Sequence, residues 1–149
     1  MDAYNHKKSY YAQRGDWQKM FAVHYLSLEV LPKLASHSYF RARFFGWSAW
    51  AWAYTGRYFE GTENVEKGLS IAKELGDVES IGDFGRDFGF LLVRQSKYRE
   101  AAHNLDNSLN LYQSLGQNHQ PKYAFVLSDL GLLYICQVSI VREHFSAFV

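Results

Sequence analysis

Gly56-Arg57-Tyr58 is the stretch on which the fold turns: a glycine and an aromatic residue, two positions apart, between two runs of helical apolar periodicity. Counterparts stand at Gly15-Asp16-Trp17 and Ser96-Lys97-Tyr98, so the aromatic returns after 41 residues from Trp17 to Tyr58 and after 40 from Tyr58 to Tyr98. Leu75-Gly76 and Leu115-Gly116 repeat at 40 as well. A period in this range predicts stacked helical hairpins, because one hairpin buries its apolar face only against its neighbours.

Upstream of Gly56, the return of Phe45, Ser48, Ala49 and Trp52 on one face predicts a helix from 39 to 55. Downstream, Val65, Leu69 and Ala72 carry a second helix from 58 to 74, which Leu75-Gly76-Asp77 closes with a C-terminal glycine. The next hairpin occupies 79–95 and 98–114, and a further first-type helix fits 122–137. Continuing the register past a turn places Ile140 where Tyr98 stood and Glu143 where Ala101 stood. At the other end, 4–13 and 18–34 form a shortened hairpin with Pro32 near its close. The chain therefore reads as one all-α domain, 1–149. It has repeats at about 1–38, 39–77, 78–119 and 120–149, the outer two degenerate.

Hydrophobic residues make up 48% and aromatics 17% of the 149, enough for an interhelical core, and two prolines leave helix interiors uninterrupted. The net charge of +1, with no basic stripe, argues against a nucleic-acid partner, which requires clustered Lys and Arg. Charge is uneven: residues 1–60 carry eight basic and four acidic groups, residues 61–149 eight and eleven, so opposite ends attract weakly. A lone cysteine, Cys136, excludes an intrachain disulfide and fits a reducing cytoplasm. The start of the chain lacks an apolar signal region, and the richest apolar run, 44–54, is far short of a membrane span.

With these registers set, the chain resembles the tetratricopeptide repeat family, whose pattern is W-x2-L-G-x2-Y, then A-x3-F, then a late proline. Leu130-Gly131 with Tyr134 reproduces L-G-x2-Y, Phe88-Gly89 with Leu92 is a looser copy, and Phe45, Ser48-Ala49 and Trp52 a third. Ala101 and Leu105 fit A-x3-F, Gly61 and Val65 vary it, Met20 and His24 depart from it, and Pro32 matches the closing proline. The period of 40–41 is similar to long-repeat members in bacterial signalling proteins, among them the sensor arrays of STAND-type ATPases. The resemblance implies a right-handed α-solenoid, a non-catalytic scaffold for protein-protein binding, and a ligand groove on the first helix of each hairpin.

Projecting that groove selects Asn5, Ser9 and Gln13, then Gly46, Trp50 and Tyr54, then Asp83, Arg86, Phe90 and Arg94, then Phe125, Ser128 and Leu132. The expected partner-binding set is Trp50, Tyr54, Asp83, Arg86, Phe90, Arg94 and Ser128. Flat aromatic surface beside two guanidinium groups suits an acidic peptide or a chain terminus. In a second reading Trp50 and Phe90 pack on a neighbouring helix while Arg86 pairs with Asp83 or Asp87. Enzymatic readings find no support: the six histidines include no pair at three or four residues' spacing, and no phosphate-binding, zinc-protease or nucleophile-elbow motif occurs. No cofactor or metal is expected. Two further functions stay open: a sensor or regulatory fragment of a larger regulator, and a self-assembling module whose unfinished terminal hairpins form a homodimer.

Overall fold

A computed structural model describes residues 2–33, 38–116 and 119–146; the side chains of 2, 50 and 140–146 are outside the description. The described chain is helical, with no strand among the described residues: α1 (Asp2–Gln13), α2 (Trp17–Leu28), a 3-10 turn (Leu31–Lys33), α3 (Tyr39–Gly46), α4 (Ala49–Tyr54), α5 (Tyr58–Leu75), α6 (Val78–Arg94), α7 (Tyr98–Leu115) and α8 (Gln120–Ser146). The all-α expectation holds. Among the described residues, no helix is long and apolar enough to cross a membrane.

The joints share one backbone solution. Gly15, Gly56 and Ser96 take left-handed φ of 69°, 73° and 61°, and Gly76 takes 65°. At each, the next residue's N–H reaches back five positions: Asp16 to Tyr11, Arg57 to Trp52, Asp77 to Ala72 and Lys97 to Leu92, all at 3.0 Å. These are Schellman closures, which satisfy carbonyls that a helix end leaves without partners. Asp16 and Asp77 then cap the following helices, their carboxylates accepting from Lys19 N and Ser80 N, and the Ser38 hydroxyl does the same for Arg41 N.

Glycine sets how closely the hairpins pack. A Cβ on Gly89 would meet Leu105 at 2.7 Å, one on Gly85 would meet Ser108 at 2.7 Å, and one on Gly82 would meet Tyr112 at 3.0 Å. Rising numbers on α6 against falling numbers on α7 make the pair antiparallel. Between α3 and α5 the backbones themselves touch, since a Cβ on Gly68 would lie 2.5 Å from Gly46 N. The core is three linked clusters. One, around Trp52 and Leu91, joins α1, α2, α4, α5 and α6; one, around Phe84, joins α3, α5 and α6; and one, around Leu105, joins α6, α7 and α8. Leu69 borders the first two and Phe88 the first and third.

Three expected boundaries differ, and in the first of them the helix expected over 18–34 ends at Leu28, with a separate 3-10 turn over Leu31–Lys33 that contains Pro32. The helix expected over 39–55 is broken at Trp47-Ser48, beside the Gly46–Gly68 contact, where Ser48 takes φ −140° and ψ 12°. The helix expected to end near 137 continues as α8 to Ser146. Val138 holds the place of Ser96, and a β-branched residue resists the left-handed conformation that the other joints use. The chain therefore runs straight through the expected turn. Of the first hairpin's expected end, 34–37 lie outside the described residues.

Candidate functional site

The first helices of the hairpins line a shared groove. Its larger cavity, about 510 Å³, takes Lys8, Ser9 and Ala12 from α1, Trp47 and Ser48 between α3 and α4, Ala51 and Tyr54 from α4, Arg86, Asp87 and Phe90 from α6, and Asp129 from α8, with Met20 of α2 also in its wall. A second, of about 410 Å³, adjoins it through Trp47, Arg86 and Asp87 and continues past Asp83, Lys122 and Phe125. An aromatic row borders the first cavity: Trp17 stacks on Tyr54 at 6.1 Å, and Tyr54 meets Phe90 at 5.7 Å.

The break at Ser48 gives Trp47 its place in both cavities, with Arg43 stacked on its indole at 4.2 Å. Charge at the centre is paired across helices. Arg86 Nε donates to Asp129 Oδ2 at 2.7 Å, its Nη1 lies 3.6 Å from Asp87 Oδ1, and its guanidinium sits over the Phe125 ring at 5.2 Å. Lys122 Nζ bridges Asp83 Oδ1 at 2.8 Å and Glu79 Oε1 at 2.7 Å, while the Tyr112 hydroxyl also donates to Asp83. Burial pushes the Asp87 carboxyl up to about 7; Arg86 and Lys122 oppose that shift, and the nearby Asp83 and Asp129 carboxylates add to it.

Lys8 contributes a different kind of group. The residue is 3% exposed, and its amine donates to the Phe44 carbonyl at 3.2 Å and lies 4.4 Å from the Phe44 ring centre. Burial lowers its pKa to about 7. Behind it His24, stacked on Phe44 at 4.6 Å, is lowered to about 3 by burial and by the charges of Lys8 and Arg57.

Of the expected set, Tyr54, Arg86 and Phe90 meet in the larger cavity, and Asp83 lines the second. Arg94 and Ser128 are exposed and line neither, and the Trp50 side chain is outside the described residues. Arg86 is paired with Asp129 at 2.7 Å, a partner that neither reading named, and lies 3.6 Å from Asp87, which the second reading did name. The groove face is rotated about one residue from the projected one: Asn5 is buried and a Cβ on Gly46 would strike Phe84, while Lys8, Trp47, Asp87 and Asp129 enter. Lys8 had a signal in the sequence, for it stands where Ala49 and Gly89 stand at successive periods, a charged residue in a column of small ones.

Compared with known proteins, the chain matches no family model and no curated protein.

Proposed function

We propose that this protein is a non-catalytic scaffold of the long-period tetratricopeptide type, holding a peptide or protein segment in the groove of α1, α3, α4, α6 and α8. The observation that carries the reading is the continuity of the two cavities through Trp47, Arg86 and Asp87, on helices that come once per hairpin. The recurrence of left-handed joints at 15, 56 and 96 supports the repeat. The groove joins aromatic wall to charges already compensated across helices. Such a surface selects an apolar side chain flanked by backbone or neutral polar groups more than it selects an acidic run.

A random peptide library displayed on phage and selected on the protein tests this. A shared sequence pattern with an apolar anchor is expected, and Tyr54→Ala with Phe90→Ala should weaken binding of the selected peptide at least tenfold at unchanged helicity. Selection of no common pattern, or equal binding by the double variant, overturns it.

One observation favours a second reading, self-assembly. On α8, Tyr134 is 62% and Ile135 65% exposed, whereas their counterparts on α6, Leu92 and Val93, are 1% and 5%. A Cβ on Gly131 would meet nothing within 4 Å, while on its counterpart Gly89 it would strike Leu105. The face that α7 covers on α6 is thus bare on α8.

A further inference from the structure

We propose that Lys8 is a nucleophilic amine that captures small carbonyl compounds as an imine inside the larger cavity. The inference is independent of the peptide-groove reading and rests on the amine's surroundings. Lys8 is 3% exposed yet lines a space of about 510 Å³ whose walls include Ala12, Met20, Trp47 and Ala51. Among the described residues its one hydrogen-bond partner is the Phe44 carbonyl, an acceptor, and no carboxylate lies within ion-pair distance. An uncharged amine in that position donates one hydrogen to Phe44 O and keeps its lone pair clear of any donor. An ammonium there would be desolvated and lack an anion, which disfavours the charged form.

The charged and titratable groups that face it are few. His24 on α2 is held neutral, Arg86 and Asp87 on α6 line the same cavity, and Asp129 on α8 is bonded to Arg86. Burial brings the amine's titration to about 7, so about half is unprotonated at neutral pH, against a small fraction for an exposed lysine. The position itself is informative. A buried lysine where the pattern elsewhere puts Ala49 or Gly89 costs stability, so packing alone does not account for it.

The chemistry balances without an oxidant or reductant. The Lys8 nitrogen lone pair forms a bond to the carbonyl carbon while the C=O π pair moves to oxygen. A proton passes from nitrogen to that oxygen, giving a carbinolamine, and the hydroxyl leaves as water once it takes a second proton. The nitrogen loses its last hydrogen as the C=N bond closes. Asp87, in the same cavity and titrating near neutrality, is an acid of suitable strength for the departing hydroxyl.

Benzaldehyde with sodium cyanoborohydride tests the proposal, because the hydride fixes any imine as a secondary amine that peptide mapping by mass spectrometry locates. At pH 7, Lys8 should be modified about tenfold or more faster than the exposed Lys7 and Lys73. Its rate should level off above about pH 7. In Lys8→Met, with helicity checked by circular dichroism, the fast site should vanish and the slow ones stay. Modification of Lys8 no faster than Lys7, or a rate that climbs with pH alongside the surface lysines, overturns the proposal. If Lys8→Met does not fold, the site-resolved pH profile of the unaltered chain decides alone.

Discussion

Lys8, His24 and Asp87 are each held by burial away from the range in which they titrate in an unfolded chain, and the signs of their contributions to stability differ. Lys8 releases its proton near 7 when folded and near 10.5 when unfolded, so between those values the unfolded chain binds more protons and stability rises with pH. His24 acts in the same sense between about 3 and 6.5. Asp87 acts in the opposite one, since the folded protein keeps that proton to about 7 and the unfolded chain loses it near 3.8, so stability falls between them. Over about pH 4 to 6.5 the last two offset each other, and above 7 the Lys8 rise stands alone. Urea midpoints against pH should accordingly be level in acid and climb from 7 toward 10. Lys8→Met should abolish the climb and stabilise the protein at pH 7 by on the order of 1–3 kcal/mol, and Asp87→Asn should uncover a rise from 4 to 6.5. A climb that persists without Lys8 would show that its amine is ordinary. None of these environments is written in local sequence. Lys8 and Asp87 are recognisable as charges in a helical pattern, but part of what surrounds them comes from distant helices, such as Phe44, 36 positions from Lys8.

At the scale of the helix and its joints, the sequence was most legible, and the reason is that a left-handed closure needs a particular residue. Gly15, Gly56 and Gly76 mark their turns in advance; Ser96 occupies the same conformation without glycine's freedom. Ser96→Gly should stabilise the protein by about 0.5–1 kcal/mol, the relief of a left-handed non-glycine residue less the added freedom of the unfolded chain. A thermal midpoint that falls on this substitution would mean that the serine hydroxyl, 3.4 Å from Tyr98 Oη, outweighs the strain. What stayed hidden was the break after Gly46, because it depends on the backbone of α5 pressing on that of α3. Gly68→Ala would set a methyl 2.5 Å from Gly46 N, and backbone on both sides leaves no flexible side chain to yield. A loss of about 2–3 kcal/mol in denaturant unfolding is expected, and a loss below 0.5 kcal/mol would show that the two helices separate freely. The same break accounts for the entry of Trp47 into the groove, whereas Lys8, Asp87 and Asp129 enter it from the unbroken helices α1, α6 and α8.

For the whole molecule the question is what becomes of α8. Both charged residues between 122 and 139, Lys122 and Asp129, turn toward α6, where they meet Asp83 and Arg86. The opposite side offers Leu127, Gly131, Tyr134, Ile135 and Val138 with no charge among them, a strip that α7 covers in the preceding hairpin. Two such strips carry no like charges to repel each other, and the bare Gly131 at the middle of each allows two α8 helices to cross closely about a two-fold axis. In such a pair a second copy's α8 would cover this strip as α7 covers α6. One helix face is small against the roughly 800 Å² per partner of a standard interface, so association should be weak and reversible, with Kd on the order of 10 μM. Sedimentation equilibrium from 1 to 200 μM should show mass rising from one chain toward two. Ile135→Glu with Val138→Glu should hold the chain monomeric throughout, because each would bury an unpaired carboxylate at the crossing. The groove lies across α8 from this strip, so the peptide selected on the unaltered protein should bind the double variant equally well. A single-chain mass at 200 μM, or a dimer that survives both glutamates, would reject pairing through α8 while leaving the groove untouched.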